Sequence, residues 1–246
     1  GFLLYEMSDK RIDYIVEIQH MLMEAGHAPV FASKSLVDLS LDVKRVSRLV
    51  EATDADAWIV CAGSRSILDW FACQDFPAFT LFGGSLDRRF AGAGPNKNPA
   101  YRECVNVLIE LGHRRIVLLA KSQRRKPIPG ESEQTFLEAL EEGGIEVGEF
   151  HLPDWDDRKE SLLSCLDSLF KVTPPTALII QEATVFTAVQ QFLANRGLKV
   201  PADVSLICSD PDPNFTWCEP TIAHIAWRSR PIVRRIIRWA DKISRG

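Results

Sequence analysis

Short apolar runs alternate with helical patterns along most of the chain. Phe2–Tyr5 reads as a strand. Ile12, Ile15, Ile18 and Leu22 then share one helical face, which ends at Ala25-Gly26. Pro29–Ala32 reads as a second strand, and Leu41–Val50 as a helix with Val43, Val46 and Val50 inward. Strands at Ala57–Cys61 and Ala78–Phe82 flank a helix from Ser66 to Cys73. After a break the alternation resumes. Helices are predicted at Tyr101–Leu111, Glu133–Glu142, Arg158–Phe170, Val185–Asn195 and Pro231–Ser244. Strands are predicted at Arg115–Ala120, Phe150–Leu152, Ala177–Ile180 and Ser205–Cys208.

Strands that alternate with helices imply parallel sheets covered on both faces. The break, Gly83–Pro99, is rich in Gly, Pro, Asn and Asp and keeps no helical period. It divides the pattern into an N-terminal lobe at 1–90 and a C-terminal lobe at 91–222. Residues 223–246 form a return crossing and a final helix packing toward the first lobe. The expected fold is α/β, two doubly wound parallel-sheet lobes with a ligand cleft between them. Such sheets bind ligands beyond the carboxyl ends of their strands. That places candidate chemistry at Glu6–Asp9, Ser64-Arg65, Gly83–Ser85, Lys121–Lys126, Gln181–Thr184 and Asp210–Trp217.

Composition narrows the function classes. The chain has 246 residues, 46% hydrophobic and 25% charged, with a net charge of −4. A domain that holds DNA by itself usually carries a basic face. Here Arg88-Arg89, Arg114-Arg115 and Arg234-Arg235 read as solvated helix ends or loops, with Arg124-Arg125-Lys126 set apart as a candidate for binding. The six cysteines show no CxxC spacing and no accompanying His cluster, so no metal and no cofactor is expected. Cys61 and Cys208 lie in buried-strand runs, which fits a reducing cytoplasm. No run approaches the ~20 apolar residues that span a bilayer. The chain opens on a strand without Met, so an upstream segment is expected.

Three stretches carry a family resemblance. They are LIELGHRRIVLLA at 108–120, TFLEALEEGGI at 135–145, and the run from Pro175 to Ile225 with ALII, RGLKVPADVSLICSD and EPTIAHI. Together they resemble the second lobe of LacI/GalR-family bacterial transcription regulators, with the periplasmic-binding-protein-like fold. The first half matches in layout only. Gly112 and Gly197 are apt helix C-caps, Pro201 stops a helix, and His113 reads as a hydrogen-bonded packing residue. The resemblance implies a sensor that binds a small effector, a sugar or related metabolite. It also implies homodimerisation, and operator DNA reached through a helix-turn-helix head absent from this chain.

Site residues follow from the resemblance and from placement. Asp210 follows strand SLICS, where the family has an Asp that accepts from a sugar hydroxyl. Ser132 stands where the family has Arg, and Glu182-Ala183 where it has Asn-Asp. Arg124 or Arg125 could replace the missing guanidinium, and Glu182, beside Gln181, the missing carboxylate. Trp217 follows in an aromatic position, and Trp227, Tyr5 and Tyr14 are further aromatic candidates. In the first lobe, Ser8, Asp9 and Asp13 are candidates, as are Ser64 and Arg65. Ser8 and Asp9 fit helix caps equally well, and the same alternative stands for Ser64 and Arg65.

An enzyme is not expected. GSRS and GGSL are not nucleophile elbows, GAGPNK lacks P-loop spacing, and no HExxH appears. The alternative is a solute-binding protein of a transport system, which shares the two-lobed fold but would carry a secretory leader.

Overall fold

The computed structural model describes residues 1–82, 91–126 and 128–245. The chain forms two compact units, residues 1–95 with 228–246, and residues 96–227.

The first unit begins with β1 (Phe2–Leu3) and α1 (Asp13–Glu24), followed by α2 (Val43–Glu51), β2 (Trp58–Cys61), α3 (Arg65–Ala72), β3 (Ala78–Leu81) and β4 (Ala91–Ala93). The strands pair in parallel in the order β1-β2-β3-β4. Alternation along β2 sends Trp58 and Val60 into a core shared with Val46, Val50, Ile67 and Phe71. α1 buries Ile15, Ile18 and Leu22, as their spacing predicts.

The second unit runs α4 (Asn98–Glu110), β5 (Ile116–Leu119), α5 (Ser122–Arg125), α6 (Glu131–Glu142), α7 (Lys159–Val172), β6 (Ala177–Ile180), α8 (Ala183–Asn195), β7 (Ser205–Cys208) and β8 (Ala223–His224). Its sheet is also parallel, in the order β5-β6-β7-β8. Val117, Leu119, Leu178 and Ile180 face α7 and α8, and Ile116, Leu118, Ala177 and Ile179 face α4 and α6. Both faces are therefore apolar, as a doubly covered parallel sheet requires. The chain then returns to the first unit as α9 (Arg230–Ser244), which packs on α1 and β4. Both units are the doubly wound parallel sheets that the alternation predicts.

The differences lie at the sheet edges. Pro29–Ala32 contributes only Phe31, bridged to Phe2. Phe150–Leu152 is a turn, in which His151 accepts from Leu118 N through its carbonyl at 2.8 Å. Pro29–Ala32 meets β1 only around Phe2, which donates to Val30 O at 2.7 Å and accepts from Ala32 N at 2.9 Å, a single bridge and too short for a ladder. Ala91–Ala93 pairs in the first sheet, and Ala223–His224 in the second. These short strands of small or polar residues carry no apolar run to reveal them. The helix predicted from Leu41 starts at Val43, because the Asp42 side chain caps it by accepting from Arg45 N at 2.9 Å. The Gly83–Ser85 turn and Arg88-Arg89 lie outside the described residues.

The LGH motif has a structural task. Gly112 adopts φ +91° after α4, a conformation suited to glycine. His113 then meets Thr176 Oγ1 at 2.9 Å and Ser205 Oγ at 3.1 Å, tying together the entries to β5, β6 and β7. Desolvation holds its imidazole below the ordinary histidine range. It is the packing residue that the sequence suggests.

Candidate functional site

Each sheet ends in a crown of polar residues, and the two crowns are built differently. In the second unit, β5 runs out at Ala120-Lys121, β6 at Gln181-Glu182 and β7 at Ser209-Asp210. Parallel pairing in register brings these ends side by side. Lys121 Nζ lies 2.9 Å from Glu182 Oε2. Lys97 donates to the Ser209 carbonyl at 3.0 Å and is ion-paired to Asp210 Oδ1. The Asp210 side chain remains 41% exposed, so it can still accept from a ligand.

Beneath these pairs lies a buried layer. Gln181 accepts from Lys121 N at 3.3 Å and donates through Nε2 to Glu133 Oε1. Tyr101 is buried and hydrogen-bonded to Ser209 and Gln181. Burial pushes the Tyr101 phenol up, against those two hydrogen bonds. Glu133 is 1% exposed, and desolvation raises its carboxyl above the ordinary range despite the opposing charge of Arg124. Gly130 makes room for this group, since a Cβ there would sit 2.6 Å from Glu133 Oε2.

The structure thus brings Asp210, Gln181 and Glu182 together at neighbouring strand ends. Arg124 is exposed on α5, close enough to act electrostatically on Glu133. Arg125, read from sequence as a candidate guanidinium for the ligand, is instead committed to the fold. Its Nε donates to Ala120 O at 2.8 Å, Nη1 to Asp154 and Nη2 to Trp155 O, with the Trp155 ring 6.0 Å away. Burial, with all three nitrogens engaged, fixes the guanidinium in place against the chain. Lys126 and Arg125 in turn hold the Asp154 carboxyl down to about 2. Ser132 donates to Asn98 Oδ1 at 3.0 Å, so the family's Arg position is filled by a short local contact. Trp217 ends a 3-10 helix, Pro213–Trp217, and is 89% exposed.

The first unit's crown is sparser. Glu6 and Asp9 form a reciprocal capping box around the turn Met7–Arg11, with Glu6 N donating to Asp9 Oδ2 at 3.0 Å. Ser8 is exposed and reaches Glu6 at 3.4 Å, and Asp13 stands exposed in the first turn of α1. Ser64 is the N-cap residue of α3, its hydroxyl 3.2 Å from Ser66 Oγ, and Arg65 is exposed. Ala62 and Phe82, directly after β2 and β3, have φ of 49° and 59°. The Phe82 ring meets Tyr14 edge-on at 5.2 Å.

Sequence reasoning missed Lys97, Tyr101, Glu133 and Ser209. A signal did exist for two of them. Glu133 lies on the same helical face as Phe136 and Leu140, and Tyr101 on that of Val105 and Leu108. A polar group at an inward position needs partners. Lys97 sits in the crossing, where no periodicity marks it. Among the described residues no cluster of His, Cys, Asp and Glu could hold a metal ion, and no helix is long and apolar enough to cross a membrane.

Comparison with known proteins now bears on this arrangement. Residues 105–246 match the family model of the periplasmic binding protein-like domain. The chain is 28% identical over 146 residues to the probable HTH-type transcriptional regulator EndR of Paenibacillus polymyxa, covering 58% of this chain and 42% of that protein. It is 29% identical over 125 residues to the HTH-type transcriptional repressor CytR of Escherichia coli K12, covering 50% and 36%. The chain therefore spans less than half the length of these relatives. A LacI-type transcription regulator from Bifidobacterium animalis superposes with a TM-score of 0.80 at 20% identity, covering 100% of this chain and 91% of that one. A LacI family regulator from Arthrobacter, solved in complex with lactose, gives 0.75 at 16%, covering 97% and 87%. At such identities the structural likeness speaks for the fold. The chain belongs to the periplasmic binding protein-like domain family, and its relatives are LacI-family transcriptional regulators.

Proposed function

We propose that this chain is the effector-sensing part of a LacI-type regulator, acting in the cytoplasm without catalysing a reaction. A sugar or related polar metabolite binds at the strand-end crowns and biases a two-state conformational equilibrium. Operator DNA affinity then changes through a helix-turn-helix head on the full-length protein. The observation that carries this reading is Asp210, an accessible carboxylate at the end of β7, held by Lys97 beside Glu182. Carboxylates accept well from vicinal hydroxyls, and a neighbour of the same fold is solved with lactose.

On this reading Asp210, Glu182, Gln181 and Arg124 supply the polar contacts, and Trp217 an aromatic face. Ser8, Asp13, Ser64 and Arg65 serve from the first unit. Two copies associate through the first unit, where Val16 and Met23 on α1, with Ile12 just before the helix, are exposed apolar residues beside its buried face. The test is a thermal-shift screen of sugars, sugar acids and nucleosides, followed by calorimetry. A ligand of this chain raises its melting temperature by mass action. A complete panel without a shift, or a hit that binds equally well after Asp210→Ala, defeats the proposal as stated.

A further inference from the structure

The helix α9 concentrates positive charge in a chain whose net charge is −4. Arg230, Arg234, Arg235, Arg238 and Lys242 are all exposed, with Arg228 just before the helix and Arg245 just after. Its single acid, Asp241, is engaged with His27 at 3.2 Å. None of these cations forms an ion pair among the described residues. The buried residues Ile232, Val233, Ile236 and Ala240 occupy the opposite side, so the cations share one outward face.

This face does not serve helix stability. Arg230, Arg234, Arg238 and Lys242 follow one another at four-residue intervals, and like charges so placed repel by about 0.2–0.5 kcal/mol per pair. Arg230 also opens the helix, where the dipole disfavours a cation.

We infer that the outer face of α9 binds the phosphate backbone of duplex DNA, without reading its sequence. The chemistry distinguishes this partner from others. Most of the cations are arginines, whose planar fork suits phosphate. They extend along a helix of 15 residues, about 22 Å at 1.5 Å per residue. That is a linear array, as suits a linear polyanion carrying one charge per ~1.7 Å. A protein interface centres on apolar or aromatic anchors, and membrane adsorption inserts apolar side chains. None of the large exposed apolar residues lies on α9. The inference is independent of the effector reading, since it uses no strand-end residue.

The test uses this chain and a labelled duplex of random sequence in a fluorescence anisotropy titration over a range of salt. Five engaged phosphates give log K against log[salt] a slope of about −4.5. Arg234→Glu with Arg238→Glu should flatten the slope by about 2 or more, and weaken low-salt binding by at least ~10-fold. Arg234→Lys with Arg238→Lys should keep most of both, with circular dichroism unchanged in either variant. Absence of salt-dependent binding overturns the inference. So does a charge-reversed variant that binds like the parent. Displacement of the duplex by poly-glutamate at equal charge concentration also overturns it, in favour of an acidic protein partner. Effector titration on the same variants separates the two proposals, because only the effector reading depends on Asp210.

Discussion

The two units have the same sheet order and the same parallel pairing, yet they finish their strand ends by different means. In the second unit the crown rests on side chains. Arg125, Glu133 and Ser209 are buried polar residues there, each with a hydrogen-bond partner. In the first unit the crown rests on backbone. Ala62 and Phe82, directly after β2 and β3, are non-glycine residues with positive φ. Among the described residues of the second unit, positive φ is confined to glycines that follow helices, Gly112, Gly144 and Gly197. A buried polar network fixes side-chain positions but is costly to break. Left-handed non-glycine residues store local strain that surrounding structure must hold. One topology thus supports a crown made rigid by its side chains and another shaped by its main chain.

The largest expected effect tests whether the side-chain network carries the second unit. Arg125→Ala removes the donor to Ala120 O and Trp155 O and leaves both carbonyls short of partners. It should destabilise the protein by about 2–4 kcal/mol. Arg65→Ala, an exposed arginine that opens α3 after a strand of the first unit, should stay within about 0.5 kcal/mol. Urea denaturation of the two variants decides. Equal midpoints would show that Arg125 is no more structural than Arg65, and the contrast would fail.

Asp210→Ala tests the same asymmetry in binding. It should weaken the effector by about 1–3 kcal/mol if the carboxylate accepts from the ligand, while Ser8→Ala should change it by a few tenths. Isothermal calorimetry gives both values directly. An effector that depended more on Ser8 than on Asp210 would move the centre of recognition to the first unit.

The same asymmetry decided how much of the molecule could be read from sequence. The second unit was legible in detail because LGHRR, the 135–145 helix and VPADVS are fold-making motifs, and His113 shows how such a motif works through hydrogen bonds. The first unit was legible only as alternation. Its paired edges, Phe31 and Ala91–Ala93, lack the run of apolar residues that announces a strand. At the strand-end crown of the second unit, the positions of Asp210, Gln181 and Glu182 were visible because they follow strong strands. Lys97 was not, because an ion pair reaching from the crossing to Asp210 leaves no local trace. Arg125's buried contacts were not legible, because the residue type suits both a ligand and a buried clamp and only burial separates them.

Glu133 sharpens the comparison through pH. Its folded carboxyl titrates above the ordinary glutamate range, chiefly from desolvation. The folded state therefore holds its proton more tightly than the unfolded state. Stability falls as pH rises from the unfolded value through the raised folded one, and the penalty is complete above it. Glu133→Gln keeps an oxygen for Gln181 and removes the charge. It should raise the melting midpoint at neutral pH by about 2–4 °C, the equivalent of about 1 kcal/mol, with the gain vanishing toward pH 4. A gain that is constant with pH would mean that packing, not ionisation, explains the difference.

The smallest effect belongs to the first unit's backbone. Ala62 donates its N–H to Leu81 O at 2.7 Å while holding φ at 49°. An L-residue there pays for Cβ crowding against the following carbonyl, about 1–2 kcal/mol. Glycine escapes that cost but surrenders about 0.5–1 kcal/mol of additional chain entropy on folding. The balance favours Ala62→Gly by a few tenths to about 1 kcal/mol. Ala120→Gly, at the end of a strand in the second unit with no positive φ, has no strain to relieve and should destabilise, since it also empties a fully buried methyl site. Opposite signs for the same chemical change, measured in parallel denaturation curves, are what a main-chain crown and a side-chain crown require. If both substitutions destabilise alike, the left-handed turn after β2 stores no appreciable strain.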